Sequence, residues 1–181
     1  MNTFLSRLNT IFAFTLTVLA ALTFLCFLST VFLSYSVKVS LKSNNAEVKN
    51  VQDFSVSTTR NDLGVLSFDL KADFTPLFNW NTKQLFVYLT AQYETKQNKF
   101  NQVVLWDKIV LRSDKKLHLS YNNMNTKYYF FDDGHGLRGL KNVSLHMSWN
   151  VIPTAGLLPL VSEHGQKHLF NFPVSYTPYQ R

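Results

Sequence analysis

Thirty consecutive residues without a formal charge, Leu8 to Val37, limit what this chain can fold into more than any other feature. Of the 18 basic and 11 acidic residues, only Arg7 lies before Lys38. Within the run, Ile11–Leu33 holds 23 residues, of which 18 are apolar and the other five are Thr or Ser. Coiled as a helix, it would measure about 34 Å, against a hydrocarbon core of about 30 Å. No glycine precedes Gly64 and no proline precedes Pro76, so nothing interrupts it. The hydroxyls of Thr15, Thr17, Thr23 and Ser29 can bond back to carbonyls of their own helix, at little cost in lipid. Apolar residues on every face argue against a buried or amphipathic helix of a soluble protein. The expectation is one membrane-spanning α-helix over 11–33, a short flank over 1–10 and a single domain over 34–181. A cleaved signal peptide is the competing reading, because Ser34 and Ser36 resemble a cleavage site. Its apolar core would run to only about 7 to 15 residues, and this one is longer.

Orientation is not decided by charge: Arg7 and the α-amino group on one flank nearly balance Lys38, Lys42 and Lys49 against Glu47 on the other. Asn142-Val143-Ser144 is the only N-x-S/T sequon. Its use would place the C-terminal domain in the secretory lumen and the N-terminus in the cytosol. Cys26, the single cysteine, falls within the run and is expected mid-span, without a disulfide partner. One cysteine excludes a disulfide scaffold and a thiolate-built structural zinc site. The domain is therefore expected to hold together by packing alone.

After Val37 the strongest pattern has period two. Leu66, Phe68, Leu70, Ala72 and Phe74 alternate with Ser67, Asp69, Lys71 and Asp73, and Val143, Leu145, Met147, Trp149 and Val151 alternate with polar neighbours. Further strands are expected over 37–41, 85–93, 103–111, 117–121, 128–131 and 168–172. Turn formers separate them at 96–99, 113–115, 121–123 and 132–136. A short helical turn fits 75–81. No long amphipathic helix intervenes, which argues against parallel βαβ units. About eight strands, closely spaced turns and no crossover helices predict an all-β, antiparallel β-sandwich. Trp80, Trp106 and Trp149 are expected to pack in its core.

Chemistry is sparse. G-x-S-x-G, H-E-x-x-H, the phosphate-binding loop and G-x-G-x-x-G are all missing. The one S-x-x-K match, Ser113 to Lys116, falls in a polar turn rather than on the helix that would align the two side chains. Asp132, Asp133 and His135 form a dense polar cluster, read here as a tight glycine turn with Asp capping backbone amides rather than a metal or acid–base site. Glu163, His164 and His168 contain an i,i+4 His pair, but Gly165 argues against the required helix, and the histidines read as incidental surface groups. The lysines are scattered, with only Lys115-Lys116 adjacent, so nucleic acid is not an expected partner. No catalytic residue, cofactor or metal site is expected.

Longer strings are more specific. Asn79-Trp80-Asn81 leading into Lys83-Gln84-Leu85-Phe86, the run Asn101-Gln102-Val103-Val104-Leu105-Trp106-Asp107-Lys108-Ile109-Val110, and Phe131-Asp132-Asp133-Gly134 through Gly136-Leu137 form one series. With Asn142-Val143-Ser144 through Ser148-Trp149-Asn150, they resemble the third-subunit family of the eukaryotic signal peptidase complex. The resemblance covers essentially the whole chain, diverging after about His164. It implies a single-pass, signal-anchored protein of the endoplasmic reticulum membrane, N-terminus cytosolic and sandwich lumenal, glycosylated on Asn142. The implied partners are the catalytic signal peptidase subunit, the other membrane subunits and membrane lipid, and the implied role is non-catalytic support of that subunit. A lumenal binding module for nascent chains and an independent hydrolase are the alternatives.

Overall fold

The structure, a computed structural model, describes residues 3–52, 60–96, 98–132, 136–163 and 168–178. Helix α1 runs from Phe4 to Thr30, starting ahead of Ile11 and stopping short of Leu33. Thr3 caps it by accepting the Ser6 amide at 3.3 Å. Thr15, Thr17 and Thr23 donate to the carbonyls four residues back at 2.8–2.9 Å, and Ser29 donates to the Cys26 carbonyl at 2.7 Å. The helix is long and apolar enough to cross a membrane, and Thr30 is its one buried residue.

Nine strands follow among the described residues: β1 (Val39–Gln52), β2 (Arg60–Asp73), β3 (Thr82–Tyr93), β4 (Asn101–Leu111), β5 (His118–Asn125), β6 (Phe130–Asp132), β7 (Val143–Pro153), β8 (Leu160–Ser162) and β9 (His168–Phe170). One sheet has the order β1-β2-β5, with β6 also on β2; the other has β4-β3-β7-β8, with β9 also on β7. All pairings are antiparallel. The predicted sandwich is therefore the observed one. Leu66, Phe68, Leu70 and Ala72 from β2 meet Leu85, Val87, Leu89 and Ala91 from β3 and Val143, Leu145, Met147, Trp149 and Val151 from β7 in a single core. Aromatic edges lock the layers: Phe74 meets Trp149 at 5.6 Å, and Phe68 meets Trp106 at 6.0 Å. The C-terminal segment belongs to this core, with Phe170 against Phe172 at 5.1 Å and Phe172 against Phe130 at 5.6 Å.

Several sequence expectations change. The first two strands extend well beyond 37–41 and 66–74, through a β1–β2 pairing that reaches Gln52 and Arg60. The added residues place Ala46, Val48, Val51, Leu63 and Val65 among polar ones without a regular period of two, so alternation gave no signal there. Tyr121-Asn122-Asn123 is not a connector, because β5 continues through it. Asn123 takes a positive φ of 49°, and its amide donates to Asp69 at 2.7 Å across a register shift, so turn chemistry here makes a bulge. The helical turn is limited to a 3-10 turn at Thr75–Leu77, and β8 is an added strand. Trp106 and Trp149 are in the core as expected, but Trp80 is 60% exposed.

Candidate functional site: the helix–sandwich junction

Among the described residues, the groups singled out for chemistry are not brought together. Ser113 and Lys116 are both exposed on the β4–β5 connection, and no hydrogen bond joins them. Asp114 instead closes that turn, accepting the Leu111 amide at 2.9 Å. Asp132 lies at the end of β6, where its carboxylate accepts from the Tyr93 hydroxyl at 3.0 Å and from the Gly136 amide at 2.9 Å. That amide bond is the capping expected of the turn; Asp133 and His135 lie outside the described residues. His164 does as well. His168 is not an open surface group: its ring lies 3.4 Å from Glu163, and both side chains are about nine-tenths buried. The β8 and β9 strands, which flank the connection, bring this pair under the edge of β7. Glu163 Oε2 has no hydrogen-bond partner among the described residues. No group of three or more His, Cys, Asp or Glu fit to hold a metal occurs among them either.

The most concentrated polar geometry lies instead where α1 meets the sandwich. The tight approach to β3 turns the side chains of Asn79 and Asn81 inward. Asn79 Oδ1 accepts the Asn81 amide at 2.9 Å and the Thr82 amide at 3.0 Å. Asn81, 2% exposed, donates from Nδ2 to Thr30 Oγ1 at 2.9 Å and to the Ala155 carbonyl at 2.8 Å. Its Oδ1 accepts the Ala155 amide at 3.0 Å and lies 3.6 Å from Cys26 Sγ. One buried amide thus links the last turn of α1, the start of β3 and the connection after β7. Cys26 is therefore at the sandwich end of the helix rather than mid-span, because the described helix begins at Phe4 and ends at Thr30. Trp149 Nε1 adds a bond to the Tyr35 carbonyl at 2.9 Å, and Asn79 Nδ2 donates to the Tyr35 hydroxyl at 3.2 Å. Arg112 donates to the Phe78, Asn79 and Trp80 carbonyls beside them. Trp80, flanked by two inward asparagines, points out.

In the sequence, Asn79-Trp80-Asn81 carries the likeness to a family but no role for its asparagines. The available signal was Asn-x-Asn just before a strand, a spacing that places two amides to bond backbone on either side of one outward residue.

At the opposite end, Asn142 is exposed immediately before β7, with a positive φ of 60° and its amide held by Asn171 Oδ1 at 2.9 Å. Ser144 is half-buried, its hydroxyl donating to the Gln92 carbonyl at 3.3 Å. The outer face of the β4-β3-β7-β8 sheet carries an apolar patch beside Gln84, Asp107, Ser148 and Asn150. Ile109, Leu111 and Leu160 are exposed there, around Phe86 and Tyr88, whose rings stack at 5.5 Å.

A β-sandwich joined to the end of one helix long and apolar enough to cross a membrane fits a single-pass membrane protein. The chain belongs to the signal peptidase subunit family, whose model matches residues 1–175 and so runs past His164. It is 57% identical over 97% of its length, and 97% of the relative's, to the Drosophila melanogaster protein named signal peptidase complex subunit 3. The Homo sapiens protein of that name is 54% identical with the same coverage of both chains. A Mus musculus protein named adipocyte-related X-chromosome expressed sequence 1 is 51% identical, again over 97% of both.

Proposed function

We propose that this protein is a non-catalytic accessory subunit of the signal peptidase complex, which removes signal peptides from nascent secretory and membrane proteins in the endoplasmic reticulum. The N-terminus lies in the cytosol, α1 anchors the chain as a single-pass span, and the sandwich faces the lumen with a glycan on Asn142. The names of the relatives support the complex. The observation that carries the accessory role is the apolar outer face around Ile109, Leu111, Phe86, Tyr88 and Leu160. Exposed apolar area of this kind marks a protein–protein contact. Covering it with the catalytic subunit stabilises the assembled, active arrangement through linkage, without this chain touching the scissile bond.

The exposed position of Asn142, at the far end of β7 from the helix junction, leaves room for a glycan. The test of the non-catalytic role is signal-peptide cleavage by complexes assembled with Ser113→Ala or Asp133→Asn. Activity equal to that of the unsubstituted complex is expected. Lost cleavage with assembly intact would make this chain part of the active site.

A further inference from the structure

We propose that the connection between β7 and β8, Thr154 to Pro159, is a second membrane contact, inserting Leu157 and Leu158 among acyl chains beside α1. The proposal rests on α1 being the membrane span. It follows from where the connection touches the helix. Gly156 and Leu157 form an open groove with Ala20, Thr23, Phe24 and Phe27. A Cβ on Gly156, whose φ is +112°, would come within 2.6 Å of the Phe27 ring, so the connection presses directly on α1 there.

Depth then follows from charge. A hydrocarbon core of about 30 Å takes about 20 helical residues. However a window of that length is placed within the uncharged run Leu8–Val37, it contains Ala20 to Phe27. The groove is therefore at hydrocarbon depth for every placement of the span.

The connection suits that environment. Asn142 to Ser162 contains no Asp, Glu, Lys or Arg. Leu157 is 72% exposed and Leu158 61%, an unfavourable display in water. Backbone polar groups must be satisfied internally in lipid, and the ends of the connection meet this. Gly156, Leu157 and Leu158 make no backbone hydrogen bond among the described residues and would lie nearest the headgroup boundary. Thr154 donates its amide to the Asn81 carbonyl at 2.7 Å, and the amide and carbonyl of Ala155 both bond the Asn81 side chain. The Pro159 carbonyl accepts the Val151 amide at 3.1 Å, while Pro153 and Pro159 carry no amide hydrogen. Trp80 and Arg112, at the same end of the sandwich, are the residue types that settle at the headgroup level.

The test uses the assembled complex reconstituted in phosphatidylcholine vesicles, with Cys26→Ser in this chain and a nitrobenzoxadiazole probe on Leu157→Cys. Doxyl-labelled phosphatidylcholine is expected to quench it as strongly as a probe on Leu16→Cys, with aqueous iodide without effect. A probe on Lys96→Cys, at the far end of β3, should behave in the opposite way. Iodide quenching at Leu157→Cys would overturn the proposal by placing the connection in water. Protection from both quenchers would overturn it by placing a protein partner in the groove. Loss of doxyl quenching at Leu16→Cys would instead reject α1 as the span. The same pattern is expected for Leu158→Cys, so a local failure at one position does not decide the outcome.

Discussion

The helix and the sandwich satisfy their polar groups in opposite ways. In α1 the hydroxyls of Thr10, Thr15, Thr17 and Thr23 each bond the carbonyl four residues earlier, and these side chains face outward. In the sandwich the corresponding bonds cross long stretches of chain, as from Tyr176 to the buried Asp62 at 2.9 Å or from Ser67 to Asn123 at 2.6 Å. A segment that is locally complete needs only a solvent of suitable polarity, whereas the sheet domain depends on its whole topology. The two halves therefore gain stability from different sources, and they are coupled through the few bonds that Asn81, Asn79 and Trp149 make at the junction.

The sharpest way to separate the halves is Trp149→Ala. It empties a fully buried site in the core and removes the bond to Tyr35. A loss of about 3–5 kcal/mol in sandwich stability is expected by chemical denaturation. Insertion of α1, followed by carbonate extraction, should not change.

Asn81→Ala addresses the coupling itself. It leaves Thr30 Oγ1 and both backbone groups of Ala155 without their partner, at a cost of about 1–3 kcal/mol. Limited proteolysis within 31–38 should accelerate while the melting of the sheets shifts far less than with Trp149→Ala. Equal effects on both would mean that the junction is only another part of the core.

The smallest effect is expected at the rim of the sandwich. Hydrogen bonds from Lys127 at 2.7 Å and Tyr128 at 2.6 Å hold the Asp107 carboxyl below the usual carboxylate range. A lowered folded value stabilises the protein above the unfolded carboxylate range, and that stabilisation disappears as pH falls through the folded value. Asp107→Asn should thus be slightly less stable than the parent at neutral pH, and the two should converge in acid. A difference that persists at the acid end would trace the effect to packing rather than charge.

How much was legible in the sequence follows the same division. The apolar helix could be read directly, because 30 residues without a charge, apolar on every face, are long enough to cross a bilayer. In the sandwich, alternation located β2, β3, β4 and β7, whose inner faces are buried, but not the β1–β2 extension, where Val48 is buried among polar residues such as Asn61 and Asp62 and the apolar positions do not alternate. Asn123 carried a turn signal that the fold uses as a bulge, because Asp69 on the neighbouring strand accepts its amide. Trp80 was expected in the core, since hydrophobic size alone cannot reveal that the asparagines beside it take the inward positions. The junction depends on contacts between residues 30, 81 and 155, and no local pattern reports a meeting of segments so far apart.

The central claim is that this chain works as part of an assembly. Purification of the tagged, full-length protein in mild detergent tests it most directly. The account predicts one species that contains the other membrane subunits and cleaves signal peptides. A monodisperse monomer, free of other subunits, would contradict it.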